Sequence, residues 1–183
     1  MKIQQSSIAM LGTSADPPTH GHKNLLEGLS HLFPKVVTWA SENPLKKHGA
    51  PLEVRFQLLD ALVQSIGTPH LELKQELSSP WAIRTIEKAT EYWPDSELVF
   101  VIGSDLAEQI TTWLKAEVFL QKTSIGIAAR EGWPIQKEQI KRIQAMGAKV
   151  VLLPLKIPGT ASSEVRKKPE KSQIPTSVLP ILL

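Results

Sequence analysis

The sequence predicts an α/β protein, a doubly wound and mostly parallel β-sheet with helices on both faces. Three observations carry this expectation. Short apolar runs alternate with longer helical stretches, and Gly, Pro or Ser bounds each run. Most of the runs are rich in Val, Ile and Leu and apolar on both faces, as expected of strands covered from both sides. The 183 residues can bury a full core, and no repeat, linker or low-complexity tract divides them, so residues 1–183 are expected to form one domain.

In chain order, strands are expected over 7–11, 35–40, 70–74, 98–102, 124–129 and 149–153. Helices are expected over 21–32, 52–65, 80–92, a broken segment 106–120, and 136–146. In the second helix Leu52, Phe56, Leu59 and Val63 recur at helical spacing, which points one face at the sheet. A polar, basic loop over 166–175 leads to a short last helix from Thr176.

Composition narrows the functional classes. Hydrophobic residues make up 42% and charged residues 21%, a globular balance, and the formal charge is +3. The absence of cysteine excludes disulfides, thiolate metal sites and a thiol nucleophile. Basic residues are scattered apart from Lys46-Lys47 and Arg166-Lys167-Lys168, which suits polyphosphate ligands better than a nucleic-acid surface. The apolar run Ile8-Ala9-Met10-Leu11 is too short for a signal peptide or a membrane span, so a cytoplasmic protein without membrane contact is expected. Self-association is left open.

Ligands of open α/β sheets sit beyond the carboxyl ends of the strands, where the strand order reverses. The string Leu11-Gly12-Thr13-Ser14-Ala15-Asp16-Pro17-Pro18-Thr19-His20-Gly21-His22 occupies such a place, between the first strand and the first helix. Gly12 allows close approach of a phosphate to the backbone. Gly21 leaves room at the helix start, whose free N–H groups and dipole favour an anion. His22 is expected to donate a charged hydrogen bond to phosphate oxygens.

This string resembles the signature of the nucleotidyltransferase superfamily that includes the nicotinate-nucleotide and phosphopantetheine adenylyltransferases. The resemblance implies a Rossmann-like nucleotidyltransferase fold. It also implies that the Thr19–His22 element binds the triphosphate of ATP, with His22 steadying the α-phosphate during transfer. Two departures stand out: one residue is added between Gly12-Thr13 and Asp16, and Thr19 stands where the nicotinate branch more often has histidine.

Four further places extend the resemblance. Thr160-Ala161-Ser162-Ser163-Glu164-Val165-Arg166 is similar to the family's second signature, which implies that Ser162, Ser163 and Arg166 contact the triphosphate. From the residues alone, Ser162 or Ser163 could cap a helix, with Arg166 one turn further on. Gly103-Ser104-Asp105 with Thr112-Trp113 resembles a segment of the nicotinate enzymes. Gly103 and Asp105 then lie on the ATP side and Trp113 under a pyridine ring. Lys46, in Asn43-Pro44-Leu45-Lys46-Lys47, resembles a lysine that approaches the phosphates, with Leu45 replacing the family histidine. Trp81, in Ser79-Pro80-Trp81-Ala82, keeps an aromatic ring at the acceptor side, while Ala82 loses a hydroxyl. Arg130 matches an arginine on the adenosine side. The remaining histidines, His31, His48 and His70, are expected at the surface.

The resemblance therefore implies adenylyl transfer from ATP to nicotinate mononucleotide. His22, Lys46 and Arg166 would be catalytic; Gly12, Thr13, Thr19, Gly21, Gly103, Asp105, Arg130, Ser162 and Ser163 would help hold ATP, and Trp81 and Trp113 the acceptor. Magnesium would enter bound to phosphates rather than in a protein metal site. The alternatives are transfer to nicotinamide mononucleotide or phosphopantetheine, or a nucleotide-binding regulator that has lost catalysis.

Overall fold

The structure, a computed structural model, describes residues 6–44, 46–159, 162–167 and 170–182. Six parallel strands form one sheet in the order β3-β2-β1-β4-β5-β6. They are β1 (Ser7–Thr13), β2 (Lys35–Ala40), β3 (Leu71–Leu73), β4 (Glu97–Gly103), β5 (Ser124–Arg130) and β6 (Val150–Ile157). The helices are α1 (His20–Leu32), α2 (Leu52–Ile66), α3 (Ala82–Tyr92), α4 (Ala116–Gln121), α5 (Lys137–Ala145), α6 (Ser162–Lys167) and α7 (Leu179–Leu182).

Alternation along the central strands sends side chains into two cores. Ala9 and Leu11 of β1 join Leu25, Leu26 and Leu29 of α1 and Leu58, Leu59 and Leu62 of α2 on one face. Ile8 and Met10 join Ile83 and Ile86 of α3, Phe119 of α4 and Ile143 of α5 on the other. Both faces of the sheet are covered, which is why its strands read as continuous apolar runs. Pro154 sits in β6, an edge strand, where its missing N–H removes no ladder bond that the sheet needs. Among the described residues no helix is long and apolar enough to cross a membrane.

Most strand and helix ends lie within four residues of their expected places, and β6 runs to Ile157 rather than stopping at 153. The break expected within 106–120 is present: a 3₁₀ turn over Gln109–Thr112 follows one at Ser104–Leu106, and Lys115, with φ 53°, turns the path immediately before α4. Arg166 and Lys167 belong to α6 rather than to a loop, because Val165 is buried in the core at 1% exposure and anchors the turn that carries them. The last helix begins at Leu179, after a turn closed by the Val178 N–H on the Pro175 carbonyl at 2.9 Å.

The order reverses between β1 and β4, and there the sheet opens. Their pairing ends at Met10 and Phe100, while β1 stays paired with β2 as far as Thr13 and β4 with β5 as far as Gly103. The carboxyl ends of β1 and β4 thus diverge into a crevice, the place where open α/β sheets bind their ligands.

Candidate functional site

The crevice is walled on one side by the loop from β1 to α1. Thr13 Oγ1 accepts the Ala15 N–H at 3.3 Å and closes the first bend, where Ala15 is buried with φ 48°. Thr19 then serves as the N-cap of α1, and Gly21 lies in its first turn against Pro158. Gly12 has a different reason from the one expected. A Cβ there would lie 2.8 Å from the indole of Trp39 on β2, so the glycine makes room for a buried ring rather than for a phosphate.

His22 stands three residues into the same helix. Its Nδ1 accepts the Thr19 backbone N–H at 3.1 Å and lies 2.8 Å from Thr19 Oγ1. A backbone N–H can only donate, so Nδ1 carries the lone pair and the neutral ring holds its proton on Nε2. Burial, followed by Arg130 and Lys46, lowers the His22 pKa from 6.5 to about 4. The expected charged donor is therefore a neutral N–H donor at pH 7. It is fixed in direction by the helix start, and two cations stand near it.

Asp16, to which the sequence alone assigns no role, organises the next part. Its carboxylate is buried at 2% exposure and accepts the Gly49 N–H at 2.6 Å and the Ala50 N–H at 3.1 Å. Arg166 of α6 donates from Nη1 to the Asp16 carboxylate at 3.0 Å and also to its backbone carbonyl. His48 lies beside this group, its Nδ1 3.8 Å from Asp16 Oδ2 and its side chain only 17% exposed, so it is not the surface histidine expected. Burial and then Arg55 lower its pKa.

Arg55 of α2 was also missed. It is 3% exposed and donates from Nη1 to the Ser14 and Ser41 carbonyls, both at 2.8 Å, and from Nε to the Ala50 carbonyl at 3.1 Å. One guanidinium therefore ties the loop after β1 to the loop after β2. A signal was available: Arg55 stands within the apolar stripe of its helix, three, four and seven residues before the buried Leu58, Leu59 and Leu62.

The other wall comes from β4 and β5. Asp105 pairs with Arg130 at 2.9 Å, and Arg130 also donates to the Gly159 carbonyl at 3.2 Å. Ser104 Oγ accepts the Arg130 N–H at 2.8 Å and donates to the Trp133 carbonyl at 2.6 Å. Gly103 ends β4 directly against the Asp105 carboxylate. Trp113, in the break before α4, is half-buried on an aromatic base, its ring centroid 6.1 Å from Phe100 and 5.9 Å from Phe119.

Lys46 links the two walls. The residue is exposed, so the loss of hydration at its ammonium is partial, yet that loss is the first cause of its lowered pKa. Asp105 opposes the shift, while Arg130 and Arg166 add to it. Such couplings weaken steeply with distance, so His22, Lys46, Asp105, Arg130 and Arg166 share one crevice. This is an electropositive site with both of its carboxylates engaged by arginines.

Other expected residues stand apart or are otherwise occupied. Ser162 does not cap α6 with its hydroxyl, which donates to the Pro17 carbonyl at 3.0 Å. Trp81 caps α3 two strands out from β1, 45% exposed, and its backbone N–H is taken by Ser79 Oγ at 3.2 Å. Leu45, Thr160, Ala161 and the Ser163 side chain lie outside the described residues.

A family model described as cytidylyltransferase-like matches residues 10–168. The chain is 29% identical over 150 residues to a Synechocystis protein named "Probable nicotinate-nucleotide adenylyltransferase", covering 76% of this chain and 75% of that one. A protein of the same name from Thermomicrobium roseum is 26% identical over 173 residues, covering 89% and 80%. Among solved structures, Plasmodium falciparum nicotinic acid mononucleotide adenylyltransferase complexed with NaAD superimposes with a TM-score of 0.78 at 22% identity, over 97% of this chain and 95% of that one.

Proposed function

The chain belongs to the cytidylyltransferase-like family, and on that premise we propose that it transfers the adenylyl group of ATP to nicotinate mononucleotide. The convergence of His22, Lys46, Arg130 and Arg166 on the crevice between β1 and β4 is the observation that carries this reading. The names of the relatives from Synechocystis and Thermomicrobium roseum select the acceptor.

In the proposed reaction a phosphate oxygen of the mononucleotide attacks the α-phosphorus of ATP. The new P–O bond forms in line as the bond to pyrophosphate breaks, and the electron pair leaves on pyrophosphate. No protein nucleophile is needed, so catalysis consists of positioning and charge stabilisation. His22 Nε2–H donates to a non-bridging α-phosphate oxygen, where charge builds. Lys46 and Arg166 neutralise the β- and γ-phosphates. Arg130, Asp105 and Gly103 line the adenosine side, and Thr13, Thr19 and Gly21 shape the floor. Magnesium arrives as part of the substrate, on the phosphates. Among the described residues no three His, Cys, Asp or Glu side chains gather to hold a cation, and both carboxylates of the crevice face arginines.

Trp113 offers a face for the pyridine ring, stiffened from behind by Phe100 and Phe119. Selection of a carboxylate falls to the first-turn amides of α3, at Ala82 and Ile83, which lie next to Trp81 and have no intrahelical partner. The loss of a hydroxyl at Ala82 leaves those amides in place.

Trp113→Ala is expected to raise KM for nicotinate mononucleotide about 3- to 10-fold, in line with the worth of an aromatic stacking contact. KM for ATP should move less than about twofold, and Trp113→Phe should lie between. Steady-state kinetics with each substrate varied in turn check this. A change that fell on ATP instead would take Trp113 off the acceptor side.

A further inference from the structure

Arg166 is a long side chain at the end of a six-residue helix, and such a group is not held in one conformation by its own helix. Two features hold it here. Its Nη1 donates to both the carbonyl and the carboxylate of Asp16, and its stem crosses Gly49, where an added Cβ would lie 2.7 Å from Arg166 Cδ. The same Asp16 carboxylate accepts the Gly49 and Ala50 N–H groups, in the loop that carries Lys46. Both described bonds use Nη1, which leaves Nη2 and Nε as the donors for a phosphate.

We propose that Asp16 and Gly49 form a seat for Arg166, making Asp16 a positioning residue that sets this triphosphate-binding cation in register with the loop after β1. The inference rests on the reading of Arg166 as a triphosphate contact. Preorganising the guanidinium removes the ordering cost from the binding step, so the seat acts on ATP affinity and not on the acceptor. Gly49 is required for its lack of a side chain and not for its backbone, since its φ lies outside the left-handed region.

The test is a pair of double-mutant cycles on the full chain, read as ATP dissociation constants by titration calorimetry. Asp16→Asn is expected to weaken ATP about tenfold and Gly49→Ala several-fold, with nicotinate mononucleotide affinity changed less than about twofold. In an Arg166→Ala background neither substitution should weaken ATP by more than about twofold further, because the seat has lost its occupant. Losses that simply add in that background, or unchanged ATP affinity in both folded single variants, would overturn the proposal. Gly49→Ala alters an exposed loop and leaves Asp16 intact, so it carries the test alone if Asp16→Asn fails to fold. The readout is binding, so a wild-type chain that bound ATP without releasing pyrophosphate would strike the reaction and leave the seat testable.

Discussion

His22→Ala is expected to lower turnover by on the order of 100-fold or more while leaving the fold intact, the scale set by removing a donor aimed at developing charge. The ring is tethered through Nδ1 to the start of α1, so its Nε2–H is aimed before substrate arrives. A variant retaining half of wild-type turnover would end this role for His22. The same geometry makes a pH prediction. With its pKa lowered from 6.5 to about 4 by burial and by Arg130 and Lys46, His22 in the free protein is neutral throughout the physiological range. Its imidazole resonances should hold neutral-form shifts down to about pH 5, and a midpoint near 6.5 would contradict the assigned environment. The sign for stability follows. The folded pKa lies below the unfolded one, so between about 4 and 6.5 the unfolded chain binds more protons. The stability tied to this group is full above that window and is lost as pH falls through it.

Arg55→Met is expected to cost about 3 kcal/mol or more, the scale for removing a buried charged donor and leaving its acceptors unpaired. For a chain of this size that corresponds to a fall in melting temperature of roughly 6–12 °C. Methionine keeps much of the packed stem, so the loss isolates the guanidinium and its three carbonyls, Ser14, Ser41 and Ala50. Urea denaturation measures it. A loss below about 0.5 kcal/mol, the range of an ordinary surface substitution, would mean that the loops after β1 and β2 hold together without Arg55.

The layered sheet was legible because each central strand is buried on both faces and bounded by turn residues; β2 matches its expected span throughout. Local pattern failed where a single backbone angle or a distant contact decided the outcome. A break within 106–120 is expected from the sequence but its place is not, being set by the left-handed φ of Lys115, and Val165 holds Arg166 in α6 through contact with a core assembled from other elements. The site shows the same division. His22, Lys46, Asp105, Arg130 and Arg166 could be picked from strand ends and motif spacing, and they converge. Asp16 acts through partners 33 to 150 residues away, separations that no local pattern encodes, whereas the place of Arg55 in the apolar stripe of α2 marks it as buried without naming its acceptors up to 41 residues away. The role of Gly12 was misread for the same reason, since Trp39 reaches it only through the pairing of β1 with β2.

Pyrophosphate release with ATP and each of three acceptors in parallel identifies the acceptor. Rapid release is expected with nicotinate mononucleotide, slower release with nicotinamide mononucleotide, and none with phosphopantetheine. Equal use of the two mononucleotides would contradict selection by the α3 amides, and release with phosphopantetheine alone would contradict the acceptor. No release with any of them, from protein that binds ATP, would contradict the reaction itself.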